Sequence, residues 1–173
     1  MTEQDDIRLV PLGREHVSIL ADVVNDPDVL RFTRVPDPPP ESFAESWFAG
    51  YEEGRRAGTR DGFAILDAGG TFLGTAVAPS IDRTTATVEL GYTIMPAARG
   101  RGVATRALGL ITEWAFTTLD AKRIELYISV DNAASKRVAE RNGYRYEGTL
   151  RSLYFKQGAR ADTEIWSKLP ADR

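Results

Sequence analysis

The residues best suited to chemistry lie in one short segment, residues 99–105, with the sequence Arg-Gly-Arg-Gly-Val-Ala-Thr. It joins an extended stretch to a periodic helical stretch, so free backbone N–H groups and the positive end of a helix dipole meet at one point. Such points bind anions, most often phosphate. Gly100 and Gly102 let the backbone approach a ligand, and Arg99 and Arg101 add positive charge suited to phosphate oxygens.

Three glycine-rich patterns can be compared with this segment. A Walker A loop requires a lysine, and none occurs in this turn. A dinucleotide fingerprint requires Gly-x-Gly-x-x-Gly, but Thr105 stands at its last small position. Residues 99–104 meet the third pattern, Gln/Arg-x-x-Gly-x-Gly/Ala, at every fixed position. The segment thus resembles the acetyl-CoA pyrophosphate loop of the GNAT N-acetyltransferase superfamily, with an ordinary strand–helix turn as the alternative for these six residues alone.

Composition excludes several classes of protein. The 173 residues predict one domain, 1–173, with an ordinary globular share of 42% apolar and 27% charged residues. The net charge of −3 is unlike the basic surface of a nucleic-acid-binding protein. There is no cysteine, which excludes disulfides and a cysteine nucleophile, and the single histidine, His16, cannot form a histidine metal cluster. We therefore expect no metal and no nucleic-acid partner.

The sequence also gives an expectation for the compartment. The acidic N-terminus lacks an apolar signal core, and no stretch is apolar over the length that a membrane span requires. We expect a soluble, cytoplasmic protein that does not bind a membrane.

The elements around the loop predict an α/β fold. Apolar periodicity indicates strands at 7–12, 62–67, 72–81, 86–95, 123–130, 144–155 and 163–169, and helices at 15–24, 42–57, 103–118 and 133–142, with a short helical turn within 26–34. Residues 36–40 are proline-rich and predict an extended loop, whereas Ser42 and Glu45 form a capping-box pattern. The GNAT fold, a mixed and mostly antiparallel sheet of about seven strands flanked by helices, resembles this order over nearly the whole chain.

Two local features of these elements bear on a ligand site. Alternation along 86–95 places Glu89, Gly91 and Thr93 on one face, and a glycine within a strand indicates a bulge or the close approach of a ligand. Trp47 and Phe48 on the helix at 42–57 either fill the core or form a wall of an acceptor pocket.

A second block of residues extends the resemblance. The pattern Asn-x-x-Ser…Gly-Tyr…Glu-Gly…Asp occurs at Asn132, Ser135, Gly143, Tyr144, Glu147, Gly148 and Asp162. It resembles the pattern of Rim-type ribosomal-protein N-terminal acetyltransferases, and Glu89-Leu90-Gly91-Tyr92 matches a strand of the same branch. Tyr154 occupies a position where Rim-type sequences can have an acidic residue. That departure argues against carrying the ribosomal-protein substrate over to this chain.

The resemblance implies acetyl-CoA as co-substrate and assigns residues to it. The backbone of the loop takes the pyrophosphate, the strand edge at 93–95 pairs with the pantetheine amides, and the N–H of Ile94 or Met95 meets the thioester carbonyl. Asn132 holds the pantetheine arm and the Ser135 hydroxyl lies near the sulfur; a plain helix cap and a surface residue are the alternatives. The expected cofactor-binding residues are Ile94, Met95, Arg99, Gly100, Arg101, Gly102, Val103, Ala104, Thr105, Asn132 and Ser135.

Acetyl transfer to an amine also needs a base for the amine proton and a proton for the leaving thiolate. Glu89 is the candidate base, acting through water, and Ser135 is the second candidate catalytic residue. The alternative for Glu89 is a solvated strand residue or the partner of an arginine. Tyr154 is a weaker candidate for lining the acceptor site.

The expected function is an acetyl-CoA-dependent N-acetyltransferase acting on a primary amine, either a protein N-terminal α-amine or a small molecule. A CoA-binding sensor without turnover and an interaction protein with an ordinary glycine turn are the alternatives. The sequence leaves the acceptor and the oligomeric state open; because dimers are common in the resembled branch, a homodimer is compatible with it.

Overall fold

Seven strands form one sheet in the computed structural model, which describes residues 6–156 and 158–173. The order is β1-β2-β3-β4-β5-β7-β6, and only β4 and β5 run parallel to each other. The strands are β1 Ile7–Pro11, β2 Asp61–Asp67, β3 Phe72–Asp82, β4 Thr87–Ile94, β5 Arg123–Ser129, β6 Arg145–Lys156 and β7 Ala159–Lys168. The predicted mixed, mostly antiparallel sheet of about seven strands is therefore confirmed.

Helices cover both faces of this sheet. They are α1 Val17–Val23, α2 Pro27–Phe32, α3 Phe43–Ala57, α4 Val103–Thr118 and α5 Ala133–Arg141. Strand β2 shows the division, because its side chains alternate between two apolar clusters. Phe63 and Ile65 belong to the cluster that contains α4, whereas Ala64 and Leu66 belong to the cluster of α1 and α3.

The larger cluster forms the rigid base of the molecule. Leu108 and Ile111 of α4 pack against Val88 of β4 and Ile124 of β5, and all four side chains are almost completely buried. Burying a side chain of this size contributes about 1.5–3 kcal/mol relative to leaving it exposed. This packing fixes α4, and with it the loop before its first residue, against the parallel strand pair.

Strands β4 and β5 separate part-way along their length. Their ladder pairs Thr87–Glu89 with Arg123–Glu125 and has no further register among the described residues. On its other side β4 remains paired with β3 as far as Ile94. The β4 backbone beyond Glu89 therefore presents an unpaired edge to a gap in the middle of the sheet.

Three local details differ from the sequence-based expectations. Strand β7 begins at Ala159, earlier than the expected residue 163, because residues 159–161 pair with the end of β6. The irregularity expected at Gly91 lies on the partner strand, where β3 has an extra residue between Val77 and Ser80. The capping box is wrong: Ser42 makes no side-chain capping bond within the described chain, and Glu45 pairs with Arg14 at 3.3 Å.

Candidate active site

The glycine loop has the geometry of an anion site. Gly100 and Gly102 have φ of +74° and +75°, in the left-handed region that glycine enters without a Cβ penalty. Helix α4 begins directly after Gly102, whose lack of a side chain leaves the N-terminus without a side-chain cap. Within the described residues, the N–H groups of 100–105 have no backbone acceptor. These donors and the positive end of the α4 dipole therefore face one point.

Arg99 is engaged elsewhere, which corrects one expectation. Its guanidinium lies 2.5 Å from Asp26 Oδ1 and 2.9 Å from Asp28 Oδ2, and its Nε donates to the carbonyl of Ile94 at 3.1 Å. Its backbone N–H donates to Pro96 at 3.2 Å. Because these donors are already used, Arg99 anchors the loop to α2 instead of contacting a phosphate.

Arg106 provides a cation that sequence reasoning missed. Its Nη1 lies 3.3 Å from the point that a Cβ on Gly102 would occupy, so the guanidinium is beside the loop. Its Nε is buried and has no hydrogen-bond partner in the described structure. An orphaned donor beside unpaired N–H groups fits an anionic ligand such as a pyrophosphate. Arg101 in the same loop is exposed.

The backbone N–H groups of the two candidates for the thioester contact, Ile94 and Met95, point to opposite sides of β4. The N–H of Met95 donates to the carbonyl of Leu73 on the β3 side at 2.8 Å. In an antiparallel ladder the next residue along the strand points its N–H to the opposite side. The N–H of Ile94 therefore points to the unpaired edge of β4. The geometry therefore favours Ile94 over Met95 for the thioester contact, and the assignment of either residue to the co-substrate stays a prediction.

Asn132 and Ser135 lie at the start of α5. The Asn132 side chain accepts a hydrogen bond from the Ser135 N–H at 3.1 Å, which confirms the predicted helix cap. The Ser135 hydroxyl is 2.8 Å from that of Tyr92 on β4, so the pair bridges the gap between β4 and α5. Burial raises the pKa of Tyr92, and the bond to Ser135 offsets part of this. Sequence reasoning did not assign a role to the Tyr92 hydroxyl.

A cavity of about 870 Å³ opens at the same gap. It contains Glu89, Gly91 and Thr93 from one face of β4, as the alternation predicts. Its other walls come from α2, the segment after it, α3, β5 and the β6–β7 hairpin, and include Val29, Arg34, Trp47, Tyr51, Tyr127 and Tyr154. Trp47 therefore lines this cavity, whereas Phe48 is buried in the core. Tyr154 also lines this cavity.

Glu89 forms an ion pair inside this cavity. Its Oε1 lies 2.6 Å from Nη2 of Arg34, in the segment between α2 and α3. The Arg34 guanidinium also donates to the Tyr154 hydroxyl, at 3.0 Å from Nε and 2.7 Å from Nη2. The interpretation of Glu89 as the partner of an arginine is thus confirmed, and its role as a base stays a prediction. No sequence pattern marked Arg34, which comes from a loop 55 residues before Glu89.

Burial raises the pKa of Glu89 above its ordinary value, while the charge and hydrogen bonds of Arg34 oppose the rise and Glu125 adds to it. A carboxylate with a raised pKa is a stronger base than one in water. Perturbed carboxylates in cavities are candidates for functional groups.

The sequence pattern of the GNAT acetyltransferase domain matches residues 6–145, most of the chain. The chain belongs to the GNAT acetyltransferase family. This confirms the resemblance carried by the glycine loop.

A curated relative supports both the resemblance to GNAT enzymes and the resemblance to their Rim-type branch. It is 29% identical over 100 residues to the putative ribosomal N-acetyltransferase YdaF of Bacillus subtilis, a match covering 58% of this chain and 55% of YdaF. The chain spans about half the length of the first curated relatives it matches. The ribosomal relative supports the Rim-type motifs.

Solved structures share the fold over nearly the whole chain. The spermidine N-acetyltransferase of Vibrio cholerae in complex with CoA and spermine superposes with a TM-score of 0.86 at 21% identity, covering 99% of this chain and 98% of that one. The ribosomal L7/L12 alpha-N-protein acetyltransferase RimL, in complex with CoA, has a TM-score of 0.87 at 20% identity, with 96% of each chain covered. These similarities show the fold.

The described residues contain neither a cluster of metal-ligating side chains nor a helix suited to span a membrane. No group of three or more histidine, aspartate or glutamate side chains there has an arrangement that suits a metal ion. None of the described helices is long and apolar enough to cross a membrane.

Proposed function

We propose that this GNAT protein is an N-acetyltransferase that uses acetyl-CoA to acetylate a primary amine directly. The observation that carries the proposal is the continuity of the site. The unpaired edge of β4 has the anion-binding loop beyond one end, at Gly100–Ala104, and Glu89 at the other. A CoA thioester laid along this edge would have its phosphates at the loop and its acetyl group beside the cavity.

Each residue of the candidate site has a separate role in the proposed acetyl transfer. The N–H groups of the loop and Arg106 bind the pyrophosphate, and the N–H of Ile94 stabilises the negative charge that develops on the thioester oxygen. Glu89 accepts the amine proton through water as the nitrogen attacks the carbonyl carbon. As the carbon–sulfur bond breaks, the Ser135 hydroxyl donates a proton to the thiolate and takes one from the Tyr92 hydroxyl beside it. Solvent then returns a proton to Tyr92 and accepts the proton that Glu89 received.

Two acceptor classes are supported by relatives. A protein N-terminal α-amine corresponds to the acceptor of RimL, and a small-molecule amine corresponds to that of the spermidine enzyme. No covalent enzyme intermediate is needed for either, in agreement with a chain that has no cysteine.

Thermal unfolding with acetyl-CoA, followed by thiol release across a panel of amines and peptides, tests this function. At about 100 times its Kd, a ligand that binds only the native state adds ~2.7 kcal/mol of stability. We expect both this shift and acceptor-dependent thiol release. A shift without release from any acceptor would indicate a CoA-binding sensor. No shift at all would identify the glycine loop as an ordinary turn.

A further inference from the structure

The cavity that should receive an amine contains a cation next to the proposed base. Arg34 bonds both Glu89 and Tyr154, yet 51% of its side chain is exposed. A guanidinium has five N–H donors. The two contacts of Nη2, the one of Nε and the 3.5 Å contact of Nη1 with Glu89 use four of these donors and leave one Nη1 N–H available for a further anion.

The charged residues around Arg34 give the cavity lining a net positive charge. Among the described residues that line the cavity, three are cationic, Arg31, Arg34 and Lys156, and two are anionic, Asp37 and Glu89. Lys156 is fixed toward the segment of Arg34, because its Nζ donates to the carbonyl of Thr33. A polyamine brings several positive charges and would be repelled by this set. The cavity therefore suits an acceptor with an anionic group of its own.

The walls limit what else the acceptor can carry. Most of the uncharged residues that line the cavity are apolar or aromatic, including Val29, Phe43, Trp47 and Tyr51, and the others are mainly threonines. Such walls favour an apolar or aromatic substituent over a further polar chain. A carboxylate accepts a strong, charge-assisted hydrogen bond from a guanidinium N–H.

From these contacts we infer that the acceptor is a primary amine bearing a carboxylate only a few bonds from its nitrogen; this inference rests on the proposed acetyltransferase function. The carboxylate binds the exposed side of the Arg34 guanidinium. Because Arg34 also holds Glu89, the amine is placed next to the base. A free amino acid and a peptide that begins with aspartate both have this chemistry.

Matched acceptors test the inference in the intact protein. Thiol release at about pH 8, near the pKa of α-amines, is measured with leucine and leucinamide, with two peptides that differ only in Asp or Asn as first residue, and with spermidine. Leucinamide has the more easily deprotonated amine, so intrinsic reactivity favours the amide. We expect the opposite order in kcat/KM, by about tenfold or more, for at least one carboxylate-bearing acceptor over its amide partner.

Variants of Arg34 test whether this residue causes the preference for carboxylate-bearing acceptors. Arg34→Gln should remove the preference, mainly by raising KM for the carboxylate acceptor, so that the kcat/KM ratio of this acceptor over its amide partner falls to one or below whatever the effect on Glu89. Arg34→Lys keeps the charge but loses the planar fork and should give an intermediate preference. Arg56→Gln, which removes an exposed arginine paired with Glu52 on α3, is the matched control and should keep the wild-type ratio.

The outcomes separate this inference from the proposed function. A preference for leucine, for the Asp peptide, or for both supports it and identifies the source of the carboxylate. Equal or better turnover of the amides or of spermidine, with the ratio unchanged in Arg34→Gln, overturns it and leaves the acetyltransferase function standing. Binding of acetyl-CoA without thiol release from any acceptor overturns the function itself, and the inference with it.

Discussion

The two halves of the candidate site are built in different ways. The donor half is mainly backbone: unpaired N–H groups at 100–105 and the edge of β4 at Ile94. The acceptor half is built from side chains that come together from distant parts of the chain, with Arg34, Glu89 and Tyr154 in direct contact. A backbone site can be specified by a few consecutive residues, whereas a side-chain site depends on the whole fold. We therefore expect the donor half to tolerate few changes and the acceptor half to determine specificity.

The largest effect should come from a change in the backbone half. Gly102→Glu places a side chain and a negative charge where the loop must meet a phosphate, at a φ of +75° that strains any other residue. We expect loss of acetyl-CoA binding, measured by thermal shift or calorimetry. Gly58→Glu is the control, because Gly58 has a φ of +71° at the end of α3, where an added side chain would lie beside Arg83. Unchanged affinity in a folded Gly102→Glu protein would contradict the assignment of the loop.

A change in the side-chain half should affect turnover and leave donor binding intact. Glu89→Gln keeps the shape of the side chain but removes its charge and basicity. We expect turnover to fall by about 10²-fold or more, the usual contribution of a general base, with unchanged acetyl-CoA affinity. The control is Glu125→Gln, which removes the carboxylate opposite Glu89 on β5 and should have a small effect.

The pH dependence of Glu89→Gln sharpens this test. Because burial raises the Glu89 pKa, its basic form is lost at a higher pH than for an exposed glutamate, and wild-type turnover should decline as pH falls into the acid range. The defect of the variant should shrink as pH rises, since more amine arrives already deprotonated. A defect that is uniform across pH would assign Glu89 to binding or orienting the acceptor instead.

A variant at Ser135, between the donor and acceptor halves, should have a smaller effect on turnover. Ser135→Ala removes one of two hydroxyls that lie 2.8 Å apart. We expect turnover to fall by about tenfold, less than the usual contribution of a proton-transfer group because the Tyr92 hydroxyl remains, with less effect on acetyl-CoA affinity, as for an interaction made in the transition state. Tyr92→Phe and the double variant complete a cycle; a non-additive double variant would show that the two hydroxyls act together. Equal turnover in Ser135→Ala would return Ser135 to a surface role.

The smallest effect should come from Arg99, a side chain that anchors the glycine loop of the donor half to α2. Arg99→Gln removes the ion pairs with Asp26 and Asp28 but leaves the glycines in place. We expect a loss of about 1 kcal/mol of stability, because the pairs are partly exposed to solvent, and a modest loss of acetyl-CoA affinity through loop displacement. A large loss of affinity without loss of stability would instead indicate direct contact between Arg99 and a phosphate.

Much of the fold was predictable because its signals are local. Alternation and helical periodicity located the sheet and the major helices, and Gly143, with a φ of +73°, ends α5 as predicted. The capping box failed because Glu45 found a partner 31 residues away in Arg14, a tertiary contact that no local pattern contains. The start of β7 was missed because pairing with β6, not apolar alternation, extends it to Ala159.

The sequence alone determined the glycine loop of the donor half, because glycines at fixed spacing before a helix expose N–H groups through local backbone geometry. Only the tertiary structure decided which of Ile94 and Met95 faces the gap, since that depends on the register of β4 against β3. Only the tertiary structure bound Arg99 to α2 and brought Arg34 to Glu89 across 55 residues. The physical reason is that backbone geometry is set by neighbouring residues, whereas the partner of a charged side chain is set by the folding of the whole chain.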